Sequence, residues 1–194
     1  DRTSSMIPEK LSLTNFMCYR EAELDFSGIH LACLAGDNGA GKSALLDALT
    51  WALWGHSRLG ARGDDDLIRL GETSMRVELT FALGDESYRV LRRRETDKRS
   101  QTLLDFQVRD GGGWRTLVDG GVRATQKRIE DVLRLDHDTF VNSAFLRQGH
   151  ADEFTVKTAA ERKRVLGEIL GLDRWSMYEE RVKERERAIE AETE

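Results

Sequence analysis

Apolar and polar residues alternate along much of this chain, and the alternation breaks where helices intervene. Leu11 and Leu13, then Ala22, Leu24 and Phe26, alternate with polar neighbours as half-buried strands do. The unbroken run Leu31-Ala32-Cys33-Leu34-Ala35 predicts a buried parallel strand with Cys33 inside it. From Ser43 to Trp54 the residues Ala44, Leu45, Leu46, Ala48, Leu49, Trp51, Ala52 and Leu53 leave a helix apolar nearly all round. That helix belongs between layers, and Gly55 ends it. After a polar, Gly-rich crossing over 60–71, alternation returns at Val77 to Leu83, Tyr88 to Val90, Leu104 to Val108 and Trp114 to Val118. Gly84-Asp85-Glu86 and Asp110 to Gly113 predict tight hairpins, and Glu95 to Ser100 a longer charged loop. The pattern is an antiparallel meander, unlike a repeated βαβ chain. Ile129, Val132 and Leu133 predict a core helix over 125–135, and Thr158-Ala159-Ala160-Glu161 is a capping box for another that Gly171 closes. Between Ser176 and Glu194, 11 of 19 residues are charged, with Trp175, Tyr178, Val182 and Ile189 at heptad positions that Arg185 interrupts. The start of a coiled coil is the preferred reading, and a solvated amphipathic helix the other.

Between the predicted strand and the predicted helix lies Gly36-Asp37-Asn38-Gly39-Ala40-Gly41-Lys42-Ser43, which fills every fixed position of G-x-x-x-x-G-K-[ST]. Glycines at 36, 39 and 41 let the backbone turn tightly and bring successive amides against an anion. The helix N-terminus adds its positive end. Lys42 is positioned to reach β- and γ-phosphates, and the Ser43 hydroxyl to complete the coordination of Mg2+. The predicted binding set is Gly36, Asp37, Asn38, Gly39, Ala40, Gly41, Lys42, Ser43 and Ala44, with ATP and Mg2+ as cofactors.

At 194 residues, with 39% hydrophobic and 34% charged content, the chain fits one globular domain with a charged extension. Residues 1–5 read as an expression remnant, 6–172 as the domain, and 173–194 as the start of the long helix. Cys18 and Cys33 lack any metal-ligand spacing and are expected to be free thiols. With no leader and no apolar stretch of spanning length, the expectation is a cytoplasmic protein without a membrane partner. Net charge is −5, yet 87–128 holds 11 Arg or Lys against 5 Asp or Glu, a local +6. Arg92, Arg93, Arg94, Lys98 and Arg99 could therefore track DNA phosphates, or simply protect an edge strand from aggregation. Tyr88 and Trp114 sit at strand spacing and are expected in the core, not as base-stacking platforms.

A complete site of this kind needs a second carboxylate after four apolar residues to hold Mg2+ and polarise water. Leu79 to Glu86 is broken by Gly84 and reads as a hairpin, while Leu103-Leu104-Asp105 lies within an alternating strand. With no Ser-Gly-Gly signature either, this polypeptide is expected to hold half of an active site.

Asn15-Phe16, the phosphate loop, Asp47 to Gly55, Asp66 to Gly71 and Phe145-Leu146-Arg147-Gln148-Gly149 together resemble the N-terminal half of the ATPase head in the SbcC family of double-strand-break repair ATPases. The resemblance spans Met6 to Glu194 and implies an α/β (α+β) P-loop NTPase of the ABC/SMC-like head type, partial, with an antiparallel meander. It implies that Gln148 is the Q-loop glutamine, contacting Mg2+ and the water near the γ-phosphate, and that Asn38 meets the γ-phosphate. Met17 departs from the family, where a basic residue follows Asn-Phe; Tyr19 or Arg20 would have to substitute. Further implied are a C-terminal half carrying the carboxylates, a homodimer of heads around two ATP molecules, an SbcD-type nuclease docking near Trp175 to Ile189, and double-stranded DNA across the heads. Other SMC-like or RecF-like heads, a small-molecule kinase, and a non-hydrolysing tether are the competing readings.

Overall fold

A computed structural model describes residues 6–57, 64–97, 100–118 and 120–137, with Phe140, Thr158 and Arg185 besides. The chain divides into two compact units, Asp1–Arg134 and Leu135–Glu194. Nearly all the described residues belong to the first. Lys98, Arg99, Gln148, the capping-box helix beyond Thr158, and Trp175 to Ile189 apart from Arg185 lie outside them.

The first unit is built on a six-stranded sheet in the order β2-β1-β3-β4-β5-β6, every neighbouring pair antiparallel. The strands are β1 (Met6–Phe16), β2 (Tyr19–Asp25), β3 (Ser74–Leu83), β4 (Glu86–Glu95), β5 (Gln101–Asp110) and β6 (Gly113–Thr116). Turn chemistry sets the register. Leu83 pairs with Glu86 across Gly84-Asp85, and Asp110 with Gly113 across Gly111-Gly112, so both expected hairpins form. Pro8 cannot donate to a ladder, and β1 shifts register between Pro8 and Lys10; the Glu9 carbonyl instead accepts from the Phe26 amide at 2.7 Å.

Among the described residues two α-helices, α1 (Lys42–Trp54) and α2 (Gly121–Leu133), and a 3-10 turn over Asp65–Leu67 complete the unit. The alternation of each strand gives one apolar face, and α1 lies against that face of β1, β3 and β4. Its Ala48, Trp51, Ala52 and Leu53 are buried with Leu11, Leu13, Phe16, Val77, Leu79, Phe81, Val90 and Phe106. Tyr88 is also buried there, stacked between Phe81 and Phe106 at centroid distances of 5.6 and 5.5 Å. α2 packs on β5 through Thr125 and Ile129 and begins four residues earlier than its apolar spacing suggests.

One expected element does not form. Residues 31–35 join no strand, Leu31 is 93% exposed, and Cys33 is exposed where the apolar run predicts a buried thiol. Among the described residues this run pairs with no strand: β1, β3, β4 and β5 have neighbours on both sides, and neither edge strand, β2 or β6, pairs with it.

Candidate functional site

The phosphate loop stands at the N-terminus of α1, open to solvent over Gly36 to Ala40. Gly36, Gly39 and Gly41 have φ of 151°, 87° and 90°, values that side-chain-bearing residues rarely adopt. A bond from the Ala40 amide to the Asp37 carbonyl (3.1 Å) closes the turn, and the Ala44 and Leu45 amides return to the Gly41 carbonyl. The N-cap of α1 is Gly41, which has no side chain to cap it, and no acidic residue occupies the first turn. The helix thus offers its positive end to an anion from outside the chain. The Lys42 Nζ donates to the carbonyls of Gly36 (2.6 Å) and Asp37 (2.7 Å), so the ammonium is folded back into the loop. Two of its three donors are used in that grip. Ser43 follows in the first turn and Ala44 is buried behind it. These residues fit a nucleoside triphosphate with Mg2+: an uncapped helix end, a backbone without obstructing side chains, and a lysine aimed into the loop.

The turn between β1 and β2 supports the loop from behind. A Cβ built on Gly41 would lie 2.6 Å from the Cys18 Sγ and 2.8 Å from the Tyr19 Oη, so only glycine fits. The Tyr19 hydroxyl donates to the Gly41 carbonyl at 3.3 Å, and burial pushes its pKa above the ordinary tyrosine value. The turn is itself strapped by the Asp65–Arg69 segment. Met17 N donates to the Leu67 carbonyl (2.7 Å), Arg69 N to the Asn15 carbonyl (2.9 Å), and the Arg69 Nη1 to the Cys18 carbonyl (2.6 Å). Asn15 and Met17 both take positive φ, 51° and 50°, which lets the backbone offer these groups. The motif Asp66 to Gly71 therefore serves as a brace for the turn under the phosphate loop.

Of the candidate DNA-binding cations, Arg92 does not qualify. It points into the core and is 4% exposed, because Tyr88, Val90 and Arg92 share the inner face of β4. Its Nε donates to the Ala52 carbonyl (3.1 Å), its Nη2 to the Gln126 Oε1 (2.5 Å), and its guanidinium lies 5.7 Å from the Trp51 ring centroid. Burial lowers its pKa to about 10, against the opposing pull of Asp64. Asp64 is half-buried and accepts from the Trp51 Nε1 at 3.2 Å. Arg93 is exposed on the outer face, 2.7 Å from Glu95, and Arg94 pairs with Asp65 at 2.7 Å. Trp114 is half-buried, with Arg89 4.6 Å and Arg109 5.8 Å from its ring centroid, so it is a cation–π partner at the sheet edge and not a core residue. The alternation of β4 already contained the signal for Arg92; the run of three arginines obscured it.

The Asp85-Glu86 pair lies at the β3–β4 turn, as the hairpin reading expects, and Asp105 lies within β5 on its outer face, where it accepts from Thr116 and Gln107. No described helix is long and apolar enough to cross a membrane.

A family profile described as AAA domain (AAA_23) matches residues 10–194. The SbcC component of the SbcCD nuclease from Deinococcus radiodurans is 39% identical over 171 residues, 87% of this chain and 19% of that protein. The DNA double-strand break repair Rad50 ATPase of Thermoplasma volcanium is 37% identical over 173 residues, 87% of this chain and 18% of its own length. The corresponding Rad50 ATPase of Methanocaldococcus jannaschii is 26% identical over 96% of this chain. The expected resemblance to the SbcC family is thus found across almost the whole sequence, although the chain spans 19% or less of the first two relatives.

Proposed function

Because the chain belongs to the AAA domain family, with SbcC and Rad50 proteins among its relatives, we propose that it is the N-terminal half of an ATP-binding and ATP-hydrolysing head of a double-strand-break repair protein. The observation that carries this reading is the uncapped end of α1 behind a glycine loop into which Lys42 folds. In this reading the loop amides and Lys42 grip the β- and γ-phosphates, and the Ser43 hydroxyl and Gln148 are the chain's contacts to Mg2+. The ion, when bound, neutralises charge that develops on the phosphate oxygens. Gln148 takes the place of the residue that senses the γ-phosphate, on the strength of its motif alone. The carboxylates that polarise water come from a complementary C-terminal half, and two such heads join around two ATP molecules. The domain spans 6–172, the helix beyond it opens a coiled coil, and the head regulates an SbcD-type nuclease near Trp175 to Ile189. Duplex DNA is met through Arg93 and Arg94 with Lys98 and Arg99.

The test is phosphate release. This chain alone should turn over at background, turnover should rise when the complementary half is supplied, and Lys42→Ala should abolish the rise. Substantial hydrolysis by the chain alone would overturn the half-site reading.

A further inference from the structure

Helices usually leave their last carbonyls to water or to a turn, but α1 does not. The Trp51 carbonyl accepts from the Gly55 amide (2.8 Å), the Ala52 carbonyl from the Arg92 Nε (3.1 Å), and the Leu53 carbonyl from the Gln126 Nε2 (3.0 Å). Arg92 and Gln126 are bonded to each other as well, through Nη2 and Oε1. A closed ring of hydrogen bonds therefore runs from α1 to β4, to α2 and back to α1. Gln126 also donates to the Glu130 Oε1 one turn along α2, at 3.0 Å, which fixes its amide orientation. Gly55 suits the place beside this ring, since its φ of 69° disfavours a side chain and a Cβ there would crowd the Arg92 Nη1 at 3.0 Å. The cation sits at the negative end of the helix dipole, out of water, where its attraction to the carbonyls is least screened.

We propose that Arg92 and Gln126 are positioning residues that couple the phosphate end of α1 to α2, so that nucleotide held at the loop orders α2 through the far end of the same helix. The proposal rests on ATP being the ligand of the loop. A 13-residue helix is about 20 Å long, so a tilt of about 3° at the ring moves the loop end by about 1 Å, enough to spoil a phosphate grip. Arg92 and Gln126 also line an open cleft of about 1000 Å³ with Trp54, Asp64, Arg123 and Lys127, which gives α2 room to move when the ring is loose. Filling the loop stiffens α1, and a shared rigid attachment passes that loss of freedom on to α2. Reciprocity then requires that loosening α2 weaken nucleotide binding.

Amide hydrogen exchange over 121–133, with and without Mg-ATP, on the intact protein tests this. In the wild type, ATP should slow exchange across α2 several-fold. Gln126→Leu keeps the size of the side chain but removes all three of its hydrogen bonds; it should abolish the slowing and weaken ATP binding about 5-fold. Arg92→Lys, which keeps the charge without the fork, should give the same loss, and Gln126→Leu provides the answer if that buried change prevents folding. A Gln126→Leu protein in which ATP still slows α2 overturns the coupling, as does a wild type that binds ATP with α2 unchanged. A wild type that takes up no ATP overturns the reading of the loop itself and the coupling with it.

Discussion

At the scale of single residues, space and strain can be separated within the phosphate loop. Gly39 and Gly41 both have φ near +90°, yet a Cβ on Gly39 meets nothing within 4 Å, while one on Gly41 collides with Cys18 and Tyr19. Gly39→Ala should therefore cost about 1–2 kcal/mol of backbone strain alone. Gly41→Ala should cost more, push the β1–β2 turn away, and weaken ATP binding measured by calorimetry. Equal costs in urea unfolding would show that the turn does not brace the loop. Asp64 gives a second residue-scale forecast. Burial raises its pKa above the ordinary 3.8, outweighing the Trp51 bond and the charges of Arg94 and Arg92. The folded state then holds the proton more tightly than the unfolded chain, so the stability it contributes is full below the unfolded pKa and is lost as pH rises through the folded one. Relative to wild type, Asp64→Asn should gain stability in urea melts as pH rises above about 4. A difference that stays flat, or runs the other way, would show that burial does not dominate at this carboxylate.

At the scale of elements, legibility followed periodicity. Two-residue alternation gave the strands of the meander, and the pairs Gly84-Asp85 and Gly111-Gly112 gave its hairpins, because these are local signals with local causes. α1 was equally plain, since its apolar circumference and the Lys42 and Gly55 boundaries agree. Less legible was the start of α2, whose first turn (Gly121, Val122, Arg123, Ala124) is wholly exposed and carries no apolar stripe. Least legible was the work of the Asp65–Arg69 segment, because its partners Asn15, Met17 and Cys18 lie some fifty residues away and the bonds are made mostly by backbone. Trp51 joins these elements. It is fully buried, tilted against Phe16 at 6.1 Å, and bonded to Asp64. Trp51→Ala should cost about 3–5 kcal/mol. Trp51→Phe, which keeps most of the contact but loses the indole donor, should cost about 1–2 kcal/mol in the same denaturation experiment. A Phe variant as damaged as the Ala variant would mean that the polar bond, and not packing, anchors the helix.

At the scale of the whole molecule, the run from Leu31 to Ala35 decides whether the loop is supported on its strand side. A continuous apolar segment exposed to water is unfavourable by roughly 25 cal/mol for each Å² of apolar surface, and exposed Leu31 and Leu34 lie in this one. The sequence asks for a buried parallel strand here, and nothing in the described antiparallel sheet supplies its neighbours. Under the proposed function, the complementary half provides strands on both sides, and the phosphate loop is then held from the strand as well as from the helix. The prediction is chemical. Adding that half should bury the Cys33 thiol and slow its reaction with a soluble disulfide reagent at least ~10-fold, while amides over 31–35 become protected from exchange. Cys18 lies in the β1–β2 turn, so its reactivity in the same titration reports any general change in the fold. Cys33 reacting at an unchanged rate in a complex that hydrolyses ATP would mean that catalysis needs no such strand, and that the proposed division of the head runs elsewhere.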